Sequence, residues 1–154
     1  MSNERKLVEL FKEKKLTIST AESCTGGLVS SLITDIPGSS AMFKGGVVAY
    51  ANEIKTNILF VKKDIIEKHG AVSKEVAALM AESALKKFKT VFAVSLTGIA
   101  GPKGCTAKKP VGLVFIGVSG RMGTTVKKYI FEGTRKILKR KFAEQAIKDV
   151  LKKI

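Results

Sequence analysis

Cysteine, histidine and acidic residues are all scarce in this 154-residue sequence. Cys24 and Cys105 are the only cysteines, and they form no CxxC. Neither zinc-ligand spacing nor a disulfide framework fits such a pair, and no metal is expected. His69, beside Gly70, is the only histidine and reads as a turn residue. No second histidine exists to serve a Ser-His-Asp arrangement. No apolar run approaches the length of a bilayer span, and the first residues, MSNERKLVELFKEKK, lack the apolar core of a signal peptide. A reducing cytoplasm is the expected compartment. Thirteen acidic residues face 28 lysines and arginines, a net charge of +15. Such an excess suits an anionic partner. The basic pairs are scattered along the chain, however, with one dense cluster from Arg135 to Lys141. Scatter of this kind reads as solvated surface.

What the chain does contain is enough apolar sequence, 45 %, for one ordinary domain with its own core. Residues 4–14 carry a helical face of Leu7, Val8, Leu10 and Phe11. A short β-prone run from Leu16 to Thr20 breaks at Glu22-Ser23-Cys24-Thr25-Gly26-Gly27, and Leu28 to Ile33 reads as helix. Gly46 to Ala51 reads as a buried strand followed by a short helix capped by Asn52. Ser73 caps the next helix, with a stripe from Val76 to Phe88. Strands follow at Thr90 to Leu96, Val111 to Val118 and Thr124 to Phe131, the last two joined by a tight turn at Gly120 to Gly123. A final helix from near Thr134 places Leu138, Phe142, Ala146, Val150 and Ile154 four apart on one face. Interleaved strands and helices predict a single three-layer α/β/α domain with a mixed β-sheet.

Four segments carry polar chemistry. Ser23 lies in a sharp strand-to-helix turn, which exposes a side chain beside backbone N–H groups; Thr25, Gly26 and Gly27 would let a ligand approach closely. The same segment equally suits a plain serine or threonine helix cap, the commoner use of such residues. Tyr50 ends a strand, and Lys55 falls at the third helical position after Asn52, near the positive end of the helix dipole. That field and any burial would depress its pKa and fit it to be a base. A surface lysine beside a core tyrosine fits the same pattern. The loop Thr97-Gly98-Ile99-Ala100-Gly101-Pro102 is neither a P-loop nor a dinucleotide fingerprint, yet it could hold phosphate through backbone N–H groups or be a crowded turn. Arg135, in the first turn of the last helix, pairs poorly with the dipole unless an anion lies between them. Cys24 adjoins Ser23 but has no histidine to activate it, and Glu22 and Asp35 suit either donor orientation or a helix start.

The stretches TAESCTGGLVSSLITDIPGSSAMFKGGVVAYANEIKTNIL, GAVSKEVAALMAESAL and VSLTGIAGPKGCTAKKPVGLVFIGV together resemble the CinA carboxy-terminal domain family, over most of residues 16–118. Free-standing members of that family are nicotinamide-nucleotide amidases. The resemblance implies hydrolysis of the carboxamide of nicotinamide mononucleotide to the acid and ammonia, with no metal and no cofactor. It implies a catalytic set of Ser23 from AESCTGG, Tyr50 from VVAYANE and Lys55 from NEIK. Thr25, Gly26 and Gly27 would surround the reacting carbonyl. Ser39, Ser40, Thr97, Gly98, Ile99, Ala100, Gly101 and Arg135 would hold ribose and phosphate. The chain departs from the family pattern at Lys103-Gly104-Cys105-Thr106-Ala107-Lys108-Lys109, where more glycines and a Glu are usual. It departs again at Gly133-Thr134-Arg135, where Gly-Asp-Arg is usual. Both changes bear on ligand contacts rather than on catalysis. The larger amino-terminal domain of two-domain members is not in this sequence, and its activity is not expected here.

The expected partner is therefore a small nucleotide, with no membrane. Self-association into a homo-oligomer is expected of such a domain. An amidase acting on another small carboxamide is the alternative within the same chemistry. A basic nucleic-acid-binding module is the alternative outside it, and no basic segment with interleaved aromatics supports that one.

Overall fold

A computed structural model describes all 154 residues. Five strands form one mixed sheet in the order β2-β1-β3-β4-β5: β1 Ile18–Glu22, β2 Phe43–Val48, β3 Phe92–Gly98, β4 Leu113–Gly120 and β5 Gly123–Ile130. β1 runs parallel to both β2 and β3, whereas β3-β4 and β4-β5 are antiparallel. The helices are α1 Asn3–Glu13, α2 Leu28–Thr34, α3 Asn52–Asn57, α4 Lys63–His69, α5 Lys74–Phe88 and α6 Arg135–Leu151, and a single 3₁₀ turn spans Ser39–Ala41.

Side chains alternate across the strands and divide the core in two. Ile18, Val94, Leu96, Val114 and Ile116 meet α1, α2 and α6 on one face. Ala21 and Ala93 meet α5 on the other, with Leu59 and Val61. This is the expected α/β/α sandwich. The stripe of α6 is real: Leu138, Phe142, Ala146 and Val150 are all fully buried. Each large side chain so buried stabilises the fold by about 1.5–3 kcal/mol. Gly117 lets α5 lie close to the sheet, since a Cβ there would fall 2.6 Å from Ser95 Oγ and 2.8 Å from the Ala77 carbonyl.

Three local expectations are corrected. The segment read as a buried strand at Gly46 to Ala51 is β2, which ends at Val48 and forms one edge of the sheet. Its residues alternate between half-buried and exposed, and Tyr50 lies beyond its end with 58 % of its surface exposed. Asn52 is not the cap of α3; Ala51 is, so Lys55 is the fourth helical residue rather than the third. His69 is not a turn residue but the last residue of α4, and Gly70 ends that helix at φ +80°.

The topology creates a crevice. From β1 the chain crosses to β2 on one side, then returns past β1 to β3 on the other. Connections leaving neighbouring strands in opposite directions open a gap at the strands' carboxyl ends. Ser23 follows the end of β1, and Thr97 and Gly98 end β3.

Candidate active site

A cavity of about 270 Å³ occupies that crevice. Ser23, Tyr50, Lys55, Thr97, Gly98, Ile99, Ala100, Gly101 and Arg135 all line it, so residues up to 112 positions apart in sequence meet there. Cys24, Asn52, Ala71, Val72, Lys103 and Gly104 complete the wall. Lys55, Lys103 and Arg135 are cationic, and no carboxylate faces the cavity. Such a lining attracts anions.

Ser23 is held by the backbone. Its N–H donates to the Leu96 carbonyl at 3.0 Å, and the preceding carbonyl, that of Glu22, accepts from Ala49 N–H at 2.7 Å. The Ser23 side chain caps nothing; α2 has Gly27 as its N-cap, at φ +102°, with no side-chain capping bond. The capping alternative for Ser23 is thus not what the fold uses. Glu22, fully buried at the end of β1, takes that role from outside the helix. Its carboxylate accepts from Val29 N–H (2.8 Å), Ser30 N–H (3.0 Å), Ser30 Oγ (2.8 Å) and Thr25 Oγ1 (2.6 Å). The two backbone N–H groups are donors that a helix start would otherwise leave orphaned.

Lys55 is 1 % exposed, an uncommon place for a lysine. Its Nζ donates to the Tyr50 backbone carbonyl at 3.1 Å. Burial lowers its pKa from the ordinary 10.5, and the nearby Cys24 opposes that shift. The cause is desolvation of the ammonium. Cys24 is buried as well, and its thiol is pushed up to about 12, chiefly by desolvation. A thiol in that condition is not a nucleophile near neutral pH.

Arg135 is the first residue of α6 and bridges two walls. Nη1 donates to the Gly101 carbonyl at 2.6 Å, and Nη2 donates to the Tyr50 hydroxyl at 2.8 Å. Thr97 Oγ1 donates to the Ala71 carbonyl at 2.8 Å, which draws the segment before α5 to the cavity wall.

Not every expected residue arrives. Thr25, Gly26, Gly27, Ser39 and Ser40 do not line the cavity. Thr25 turns its hydroxyl inward to Glu22, Gly26 lies under Lys139, and Gly27 lies against Val48. Ser39 and Ser40 belong to the 3₁₀ turn that leads into β2 at its far end. Conversely, Ala71 and Val72 carry no polar side chain to mark them, and Asn52 reads by sequence as a cap. The structure has no helix long and apolar enough to cross a membrane, and no cluster of three or more potential metal ligands.

The chain matches the CinA C-terminal domain family over residues 1–154, and it belongs to that family. It is 49 % identical over 144 residues to a CinA-like protein of Endomicrobium trichonymphae, covering 94 % of this chain and 33 % of the relative. It is 44 % identical over 149 residues to a CinA-like protein of Thermotoga maritima, covering 97 % of this chain and 36 % of the relative. The chain thus spans about a third of the length of these curated relatives. Among solved structures, it is similar to the competence/damage inducible protein CihA from Agrobacterium tumefaciens, with a TM-score of 0.92 and 38 % identity over 97 % of this chain and 92 % of that one. A CinA superfamily protein from Escherichia coli gives a TM-score of 0.95 at 26 % identity, over 99 % and 88 %.

Proposed function

We propose that this member of the CinA C-terminal domain family is a nicotinamide-nucleotide amidase that converts nicotinamide mononucleotide and water into nicotinic acid mononucleotide and ammonia. One observation carries the reading above the others: a buried lysine of lowered pKa shares a cavity with Ser23, whose side chain caps no helix. A lysine so placed gives up its proton more readily than an exposed one and can act as the base that a lone serine needs.

Neutral Lys55 takes the proton from Ser23 Oγ as that oxygen bonds to the carboxamide carbon. The backbone N–H of Cys24, the residue after Ser23 that lines the cavity, donates to no backbone carbonyl and is the donor on hand for the oxyanion. Lys55 returns the proton to the departing nitrogen, and ammonia leaves. Water then attacks the acyl-enzyme, restoring Ser23 and releasing the acid. Tyr50 orients Lys55 through its carbonyl, while its hydroxyl is fixed by Arg135. Arg135 and Lys103 supply charge for the phosphate at the exposed side of the cavity.

Ammonia release from nicotinamide mononucleotide tests the reading directly. Its absence from folded protein would send the search to other small carboxamides with the same catalytic set. Two further outcomes follow. The pH profile of kcat/KM should rise as Lys55 loses its proton, with a midpoint below the ordinary lysine value of 10.5. A rising limb at the ordinary value would remove Lys55 as the base. Arg135→Ala should raise KM by about 10- to 100-fold, the worth of a lost charge-assisted contact, with a smaller change in kcat. An unchanged KM would move the phosphate contact to Lys103.

A further inference from the structure

Glu22 is the most heavily used polar side chain in the protein and lies outside the cavity. It is fully buried, precedes Ser23 directly, and accepts four hydrogen bonds, all from residues 25–30. We propose that Glu22 is a positioning residue for the nucleophile: its carboxylate fixes the turn at residues 23–28 so that Ser23 and its neighbouring N–H groups keep the reactive arrangement. The inference rests on Ser23 being the nucleophile.

The geometry supports more than a structural cap. A cap contributed by residue 27 would hold α2 alone. The cap here comes from the strand, so a single carboxylate joins the rigid end of β1 to the start of α2 and spans the turn that carries Ser23. The turn is pinned before Ser23 by the bonds to Leu96 and Ala49, and after it by Glu22. Gly26 N–H is turned inward to the Ser23 carbonyl, at 3.1 Å, whereas Cys24, Thr25 and Gly27 N–H donate to no backbone carbonyl. A carboxylate is all acceptor and suits four converging donors; an amide of the same shape must turn an NH₂ towards at least one of them. Glu22→Gln therefore keeps the volume and perturbs the turn.

The test measures Ser23 in two ways, by turnover of nicotinamide mononucleotide and by the rate of covalent labelling with a fluorophosphonate, followed by intact mass. Glu22→Gln is expected to lower kcat and the labelling rate about 10- to 100-fold, as displacement of a reacting atom by about 1 Å does. KM should stay within about 3-fold. Ser30→Ala, which removes one donor far from the cavity, serves if the glutamine variant does not fold; a drop of about 3-fold in both rates is expected. A lowered Tm with wild-type kcat and wild-type labelling in the folded variant would overturn the proposal and leave Glu22 a cap. Wild-type protein that is labelled at Ser23 but releases no ammonia would refute the substrate and leave the Glu22 comparison intact. Wild-type protein that is neither labelled nor active would overturn both.

Discussion

Replacing Ser23 by alanine is expected to reduce ammonia release from nicotinamide mononucleotide by at least about a thousand-fold, to what binding and polarisation alone supply. The change removes one oxygen that caps no helix. The backbone bonds that hold the turn, Ser23 N–H to Leu96 and Ala49 N–H to Glu22, do not depend on that oxygen. Stability should therefore stay within about 0.5 kcal/mol of wild type. Loss of activity without loss of Tm would identify the nucleophile. Retained turnover would pass the role to another group, and not to Cys24, whose thiol is pushed up to about 12 by burial.

Lys55→Met should show opposite effects on activity and stability. Turnover should fall by about a thousand-fold, because no other base near the cavity can take the Ser23 proton. Folding stability at neutral pH should rise by about 1 kcal/mol, since methionine fills the space without a buried ammonium. The sign follows from linkage. Lys55 has a lower pKa folded than unfolded, so the unfolded chain binds more protons between the two values, and wild-type stability rises with pH through that window. The advantage of the methionine variant should be full below the lowered pKa and shrink as pH approaches 10.5. Thermal denaturation at several pH values measures it. A methionine variant less stable than wild type at neutral pH would mean that the ammonium is well solvated in its pocket.

The sequence was legible where a pattern was repeated or local. Helix α6 shows its buried face through residues four apart, and the β4-β5 hairpin shows itself through the glycines that pair at its tip. Helix α4 escaped because none of its residues is fully buried, so it leaves no periodic apolar signal. The exposure of β2 is not legible in sequence because edge position is a property of the whole sheet: Val47 and Val48 are adjacent in sequence but point to opposite faces. Ser23, Tyr50 and Lys55 were each ambiguous alone, and only the family motif singled them out. Glu22 suits either donor orientation or a helix start by sequence, and the fold uses it at the start of α2, reached from the strand across the intervening turn. Ser39 and Ser40 illustrate the converse: a polar pair in a loop before β2 fits a ligand contact by sequence, but the fold keeps it out of the cavity lining.

The two cysteines differ in a way that has practical use. Cys24 is buried in the cavity wall beside the serine, whereas Cys105 is exposed on the loop whose neighbours Lys103 and Gly104 form the rim. A maleimide dye would accordingly attach to one sulfur and leave the other untouched. The unmodified protein thus carries its own single attachment point beside the cavity mouth, where a fluorophore would register the arrival and departure of a ligand in real time.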